Sequence, residues 1–272
     1  MELNIADVGI EVTRKCNMNC EHCLRGAPQR KTISQHHLYK FFRLIDDIGN
    51  LTITGGEPTL AMDALNDIRH CSIYENCSIN DFFMVTNGKS INLEKLAEWA
   101  YLMHETCHNN ELSSVAFSFD NFHSNTLEWK QLQKRNGNYR RLSEIMEMEY
   151  GITGNGCGGS FIHKHSTEKM DYNNLLSQGR AKDFGTRENS IETFEIDKYD
   201  DCVCVGEGLL YLSANGYIVA GCNWSYRSVD NRKDIRIAHI DDLNSKQDLI
   251  DTLKAYNEKH GVVSEELSEL CF

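Results

Sequence analysis

Cys16-Asn17-Met18-Asn19-Cys20-Glu21-His22-Cys23 is the stretch that decides the fold, because it sets three cysteines at C-x3-C-x2-C spacing. Three thiolates this close can hold a cubic iron–sulfur cluster, whose fourth iron then stays free to take a substrate. Just upstream, Val8-Gly9-Ile10-Glu11-Val12-Thr13 has the pattern of a short, half-buried strand. The cysteine loop is therefore predicted to follow a strand, at the end where α/β proteins carry their sites.

A zinc site or a group of buried thiols is the alternative explanation of these cysteines. A zinc knuckle normally adds a fourth Cys or His at a short, regular distance. His36 and His37 are the near candidates for that role. The three cysteines alone leave this alternative open.

Composition narrows the class of protein. A chain of 272 residues suits one large domain, or one domain with a small appendage, and 40% hydrophobic residues are ordinary for a globular protein. The sequence has neither a membrane-span pattern nor a signal-peptide pattern, so we expect a cytoplasmic protein without a membrane partner. Eleven cysteines then indicate metal chemistry in a reducing compartment. A net charge of −12 argues against nucleic acid as a partner.

Short apolar runs alternate with helical patterns along most of the chain. A helix capped by Ser34 is predicted to continue to Ile48, and further helices are predicted at 60–70, 93–103, 127–150 and 170–181, with a break at Asn136-Gly137-Asn138. Strands are predicted at 8–13, 51–54, 82–86, 113–119, 160–163 and 191–196. Strands that alternate with helices indicate an α/β fold with a parallel sheet and right-handed crossovers.

Polar motifs follow three successive predicted strands. Gly55-Gly56-Glu57-Pro58 follows the second strand, Thr86-Asn87-Gly88 follows the third, and Ser118 and Asp120 close the fourth. Each motif by itself is an ordinary turn or cap. Their occurrence in this order, one in each βα unit after a three-cysteine loop, is what carries the inference.

With these motifs the chain resembles the radical S-adenosylmethionine (SAM) superfamily, over roughly residues 8 to 196. The resemblance implies a partial (βα)6 TIM-like barrel in which Cys16, Cys20 and Cys23 hold a [4Fe-4S] cluster. It further implies that the Gly-Gly-Glu-Pro motif meets the amino group of SAM, and that the fourth-strand motif reaches its ribose or carboxylate. The SAM-binding residues implied in this way are His22, Gly55, Gly56, Glu57, Pro58, Thr86, Asn87, Ser118 and Asp120.

The activity that the resemblance implies is reductive cleavage of SAM, giving a 5′-deoxyadenosyl radical that abstracts hydrogen from a substrate. Such an oxidoreductase or transferase needs an electron donor such as a flavodoxin or ferredoxin. Three hypotheses stay open: an enzyme that modifies a peptide or protein, one that acts on a nucleotide or other small metabolite, and an iron–sulfur electron carrier or zinc scaffold without SAM chemistry.

Beyond residue 200 the pattern changes, so we divide the chain into a core of residues 1–200 and a small α+β cap of residues 201–272. Residues 209–220 are predicted to form a β-hairpin with Asn215-Gly216 at its turn. This hairpin resembles those of the SPASM and twitch appendages, in truncated form, and Gly179-Arg180-Ala181 is a tripeptide often found just before them. A second iron–sulfur cluster, or alternatively a set of buried thiols, is the hypothesis for Cys202, Cys204, Cys222 and Cys271.

Overall fold

One sheet of ten strands forms the frame of the molecule. The computed structural model describes residues 1–89, 91–154, 159–165, 176–183, 185 and 187–262. The strands are β1 (Glu2–Thr13), β2 (Asp47–Gly55), β3 (Ser78–Thr86), β4 (Ser114–Ser118), β5 (Ile162–His165), β6 (Glu195–Lys198), β7 (Cys202–Gly206), β8 (Leu210–Leu212), β9 (Tyr217–Ala220) and β10 (Arg236–His239). Their order is β10-β9-β8-β1-β2-β3-β4-β5, with β7 also paired to β1 and β6 paired to β7.

Helices connect the parallel strands. They are α1 (Gln35–Arg43), α2 (Met62–Tyr74), α3 (Leu93–Thr106), α4 (Asn121–Asn125), α5 (Trp129–Tyr150), α6 (Tyr226–Asn231) and α7 (Lys246–Lys259). Most begin at a side chain that accepts a backbone N–H, such as Ser34, Asn92 and Ser245. Because β1 to β5 pair in parallel, the α/β architecture of a partial TIM-like barrel is confirmed.

β1 is the central strand. It pairs with β2 on one side and with β7 and β8 on the other. Its apolar side chains, Leu3, Ile5, Val8, Ile10 and Val12, are at most 1% exposed. A parallel strand covered on both faces has this apolar character. Among the described residues, no helix has the length and apolar character needed to cross a membrane.

The first predicted helix and the last predicted strand differ in the structure. The first helix ends at Arg43, and Ile48 lies in β2. Ile45 and Ile48 have the spacing of a helix face because both side chains are buried in the same core, although neither belongs to the helix. The prediction of a sixth parallel strand at 191–196 is wrong, because β6 pairs antiparallel with β7. Asn257 of α7 binds both the N–H and the carbonyl of Phe194, which takes that residue out of the sheet.

α5 is continuous through Asn136-Gly137-Asn138, where we predicted a break. The side chains of Arg135 and Asn138 bind the carbonyls of Ser118 and Gly88, at 3.1 and 2.9 Å. These tertiary hydrogen bonds offset the low helix propensity of the three residues. The predicted helix at 170–181 lies partly outside the described residues, and its described portion, 176–181, is not helical.

The predicted hairpin is formed by β8 and β9, and it continues the sheet. β8 pairs in parallel with β1, and β9 returns antiparallel to β8. The predicted cap, residues 201–272, thus supplies β7 to β10 of the same sheet and lengthens its edge. The boundary at residue 200 stays a prediction.

A buried ion-pair network joins the end of β1 to this C-terminal part of the sheet. The Arg14 side chain is fully buried; its Nε donates to Glu11 Oε1 at 3.1 Å, and its Nη1 donates to Asp230 at 2.7 Å. The other oxygen of Glu11 accepts from the backbone N–H of Ala214, in the hairpin turn, at 3.0 Å. Removing one partner of such a buried pair leaves a desolvated charge, which costs more than the pair itself contributes.

We therefore expect Glu11→Ala to lower the free energy of unfolding by at least about 3 kcal/mol, measured by urea denaturation of the cluster-free protein. Glu144→Ala is the matched control, because Glu144 and its partner Arg141 are both 56% exposed. The control should cost less than about 1 kcal/mol. Equal losses for the two variants would contradict a role for burial in this network.

Candidate active site

A cavity of about 600 Å³ lies where the carboxyl ends of the parallel strands meet. Its size is typical of small-molecule and cofactor sites. The cysteine loop after β1 forms one wall, and the residues that follow β2, β3 and β4 contribute to the others. The predicted site residues in its lining are Cys16, Cys20, His22, Cys23, Gly55, Gly56, Glu57, Pro58, Asn87 and Ser118.

The cysteine loop is held in partly apolar surroundings. Cys20 is buried, Cys16 and Cys23 are half-buried, and all three pack with Met18 and Leu127. Burial raises the pKa of the Cys20 thiol to about 11 and also raises that of Cys16. Thiolates at these positions therefore need compensating positive charge, which iron ions supply.

The sulfur atoms are arranged too openly for a single zinc ion. Within the part of the chain that the structure describes, the triads whose ligand atoms all lie within 4.8 Å of one another are His22-Asp120-His123 and His37-His239-Asp241. The three cysteines do not form such a group. With Zn–S bonds of 2.3 Å, thiolates on one tetrahedral zinc ion lie about 4 Å apart. The spacing therefore favours a multinuclear cluster over zinc.

Unpaired polar atoms in the loop also fit a bound group. Asn17 Nδ2 and His22 Nδ1 are buried and have no hydrogen-bond partner among the described residues. Cys16 Sγ accepts from the backbone N–H of Met18 at 3.4 Å, the kind of contact that stabilises a sulfur ligand. Buried polar atoms are rarely left unpaired. The donor set and these orphaned atoms together fit a [4Fe-4S] cluster with a ligand beside it.

Gly55 and Gly56 fix the second strand against the cysteine loop. The N–H of Gly56 donates to Thr13 O at 2.6 Å, and the N–H of Glu57 donates to Lys15 O at 2.8 Å. A Cβ on Gly55 would lie 2.4 Å from Thr13 O, and one on Gly56 would lie 2.3 Å from Lys15 O. These glycines are therefore required for contact with the chain just before Cys16, in addition to any contact with SAM.

Glu57 organises the next strand end. Its carboxylate is 1% exposed, and one oxygen accepts from Thr59 Oγ1 at 2.6 Å and from Thr86 Oγ1 at 2.7 Å. The second oxygen accepts from the N–H of Asn87 at 2.7 Å. Thr86 is fully buried and is not part of the cavity lining, whereas Asn87 is. Glu57 and Thr86 therefore hold the turn that presents Asn87.

Asp120 also acts through a neighbour. It caps α4 by accepting from the N–H of His123 at 2.8 Å, and its other oxygen pairs with His123 Nδ1. Burial opposes ionisation of Asp120, but the hydrogen bonds and charge of His123 bring its pKa down to about 2. His123, which the sequence reasoning missed, lines the cavity, and Asp120 does not. Contact between Asp120 and SAM stays a prediction.

His22 lies against this pair. Its ring stacks on Phe122 at 4.7 Å between centroids and meets His123 edge-on at 4.7 Å. Burial, together with the charge of His123, lowers the pKa of His22 to about 4. His22 is therefore a neutral, flat wall of the cavity at neutral pH.

Gly179 and Arg180, which are distant in sequence, contact the cysteine loop. The side chain of Arg180 donates to Cys20 O at 2.7 Å, and its N–H donates to Cys23 O at 3.0 Å. Gly179 has φ +59°, and a Cβ there would lie 2.2 Å from Leu24 O. The Gly-Arg-Ala tripeptide was the sequence signal for this contact, although it was interpreted only as a marker of the C-terminal appendage.

The C-terminal cysteines lie in two places. Cys202 and Cys204, with sulfurs 3.6 Å apart, stand on β7 opposite Glu2 and Asn4 of β1. They are therefore about 30 Å along β1 from the cysteine loop, at 3.3 Å per residue. Cys222 lines the cavity, and Cys271 lies outside the described residues. The described cysteines are not brought together as one ligand set, and a second cluster stays a prediction.

Comparison with known sequences finds a family model and curated relatives that match parts of the chain. A sequence model of the Radical SAM superfamily matches residues 10–171. A GTP 3′,8-cyclase of Desulforamulus reducens is 30% identical over 154 residues, which are 54% of this chain and 44% of the relative. A probable GTP 3′,8-cyclase of Methanopyrus kandleri is 35% identical over 88 residues, 31% of this chain and 27% of the relative. The matches thus span less than half the length of these curated relatives.

A solved structure has a similar fold. It is native anSMEcpe with bound AdoMet and Cp18Cys peptide, and it has a TM-score of 0.52 and 13% sequence identity. The match covers 96% of this chain and 82% of that chain. At this identity the likeness concerns the fold alone.

Glu57→Gln tests the organising role of Glu57. An amide cannot accept at both ends, so its NH2 group must face either the hydroxyl donors or the Asn87 N–H. We expect a loss of about 1–3 kcal/mol in the free energy of unfolding and weaker SAM binding, measured by urea denaturation and by anaerobic equilibrium dialysis. The exposed Glu144→Gln should change neither quantity. Unchanged SAM affinity in Glu57→Gln would show that the turn does not depend on this carboxylate.

Proposed function

The chain belongs to the Radical SAM superfamily, and on that premise we propose that it is an enzyme that cleaves SAM reductively and uses the radical to modify a peptide or protein. The observation that carries the proposal is the shared cavity, in which the cysteine loop meets the ends of β2, β3 and β4. An iron–sulfur electron carrier or zinc scaffold without SAM chemistry would have no need for a roomy cavity beside its metal ligands. An electron donor such as a flavodoxin or ferredoxin is part of the proposal.

Cys16, Cys20 and Cys23 would hold the [4Fe-4S] cluster. When bound, this cluster would supply the electron that breaks a carbon–sulfur bond of the SAM sulfonium and so gives the 5′-deoxyadenosyl radical. Gly55 and Gly56 place backbone carbonyls beside the loop, where they can accept from an ammonium group. Asn87 and Ser118 add polar side chains from the next two strands. These residues orient the ligand, while the Met18 and Leu127 packing limits access of water.

The charges of the cavity favour a peptide over a nucleoside triphosphate. The charged lining consists of three arginines and three glutamates, Arg25, Arg180, Arg187, Glu57, Glu188 and Glu192. Arg25 donates to Trp224 O at 2.9 Å, and Arg180 is held by Cys20 O. A triphosphate is bound by several unengaged cations, and the described lining has too few. A peptide presents both donors and acceptors, which suits a lining of balanced charge.

One wall of the cavity also has a form suited to an extended peptide. Residues 188–194 have no regular secondary structure, and most of them are at least partly exposed. Their side chains at the cavity, Glu188, Asn189, Ser190 and Glu192, are all polar. The polar side chains of such a segment can select the sequence of a bound peptide.

A nucleotide is the second candidate substrate. It is favoured by the names of the sequence relatives, which are GTP 3′,8-cyclases. Those alignments cover at most 54% of this chain, so they support the shared SAM chemistry more than the substrate.

Cys16→Ala, Cys20→Ala and Cys23→Ala, singly or combined, should abolish the formation of 5′-deoxyadenosine from SAM. The measurement is chromatography of the anaerobic reaction after reconstitution with iron and sulfide and reduction. Cys107→Ala is the matched control, because this thiol is buried in the core away from the cavity. The control should keep both the brown chromophore and the product. Undiminished product in the triple variant would exclude the proposed site.

The substrate class can be tested with the reconstituted wild-type enzyme. We expect a peptide encoded by a short reading frame beside the gene to stimulate 5′-deoxyadenosine formation and to change in mass, as measured by mass spectrometry. A scrambled peptide of equal composition controls for charge, and GTP is the competing substrate. Consumption of GTP, with no response to the peptide, would replace the peptide proposal by the nucleotide one.

A further inference from the structure

A second group of metal-ligating side chains lies outside the cavity described above. His36 and His37 belong to the first turn of α1, His239 ends β10, and Asp241 lies in the short 3-10 turn that follows. Asp241 Oδ1 is 3.0 Å from His36 Nε2, and Asp241 Oδ2 is 3.8 Å from His37 Nε2 and 3.6 Å from His239 Nδ1. Three imidazoles thus surround one carboxylate.

We propose that His36, His37, His239 and Asp241 bind a divalent transition-metal ion, with Zn²⁺ as the best fit, and that this ion fastens the C-terminal part of the sheet to α1. Imidazole nitrogen with one carboxylate oxygen is a usual ligand set for zinc, whereas Mg²⁺ and Ca²⁺ prefer oxygen ligands throughout. The ligand atoms of His37, His239 and Asp241 already lie within 4.8 Å of one another. His36 can supply the fourth ligand of a tetrahedral site.

A hydrogen bond to the ring nitrogen farther from Asp241 orients His239, as is usual for metal-binding histidines. Its Nε2 pairs with Asn215 O, in the hairpin turn, at 2.9 Å. The N–H of Asp241 donates to its Nδ1 at 3.2 Å, so the proton of the neutral ring is on Nε2. Nδ1 also lies 3.6 Å from Asp241 Oδ2, and its lone pair must exchange the backbone hydrogen bond for the metal when the ion binds. A backbone carbonyl behind a ligating histidine fixes its tautomer and its direction.

His37 offers a second, independent indication. Its side chain is 17% exposed and its Nε2 lies 3.8 Å from Asp241 Oδ2, while its Nδ1 is buried without a hydrogen-bond partner among the described residues. Gly216 allows this ring to approach His239: a Cβ there would lie 2.8 Å from His37 Cε1 and 2.9 Å from His239 Nε2. The hairpin turn is thus shaped around the two rings.

The charges around the cluster both support and oppose a bound ion. The Asp241 carboxylate supplies negative charge beside three imidazoles, at 3.0 to 3.8 Å from their nearest nitrogens. Lys40 opposes the ion, since its Nζ is 3.8 Å from Asp241 Oδ1 and donates to Asp241 O at 2.9 Å.

Titration of the reconstituted holoprotein with Zn²⁺ alone, followed by calorimetry and thermal denaturation, tests the proposal. We expect one equivalent to bind and the melting temperature to rise, because an ion bound only by the folded state stabilises it. His37→Gln and His239→Gln should each weaken binding at least about tenfold, since even an outer partner of a metal ligand contributes that much. Lys40→Met should strengthen binding by removing the competing cation.

Three controls keep the outcome decisive. His36→Gln alters a ring that is 66% exposed, so it should weaken binding even if the more buried variants fold poorly. His70→Gln, at an exposed histidine outside the cluster, should leave binding unchanged. Bound Co²⁺ should give no thiolate charge-transfer absorption, which separates this site from the cysteines. Binding that survives His36→Gln and His37→Gln, or a thiolate spectrum, would overturn the proposal, while cysteine-dependent SAM cleavage would be unaffected by either result.

Discussion

The structure depends on a close backbone contact between the end of β1 and the turn after β2. Two hydrogen bonds, Gly56 N to Thr13 O and Glu57 N to Lys15 O, join these segments directly before Cys16. No side chain except hydrogen fits at Gly55 and Gly56, where a Cβ would overlap backbone oxygens of the first segment. The cysteine loop therefore cannot move independently of the second strand end, and its position is fixed by the pairing of the sheet.

The remaining strand ends are joined to this contact in sequence. Glu57 accepts from Thr86 and from the backbone of Asn87, which connects the second strand end to the third. Arg135 then binds Ser118 O and lies over the ring of Phe119, which holds the fourth strand end against α5. Thr86 and Asp120, two of the predicted SAM-binding residues, thus support the strand ends without lining the cavity, whereas Asn87 and His123 line it.

Short sequence patterns correctly predicted the elements whose formation depends on residues close together in sequence. The cap at Ser34 and the hairpin turn at Asn215-Gly216 both form as expected, because each depends on residues only a few positions apart. The predictions that proved wrong concern residues whose conformation is set by distant partners. α5 continues through Gly137 because Ser118 and Gly88 hold its neighbours, and the strand predicted to end at Ile196 is displaced because Asn257 binds Phe194.

The same distinction explains why the cofactors of the site could be predicted from sequence and the substrate could not. The residues expected at the cluster and at SAM occur in short motifs directly after strands, so their spacing in sequence reflects their position in space. The opposite wall is built from residues 187–192 and 222–223, which follow no such pattern. Arg25 shows the difference well: it is only two residues from Cys23, yet its role depends on Trp224 O and the Tyr211 ring. Because this wall is made by long-range contacts, short sequence patterns do not reveal which residues form it.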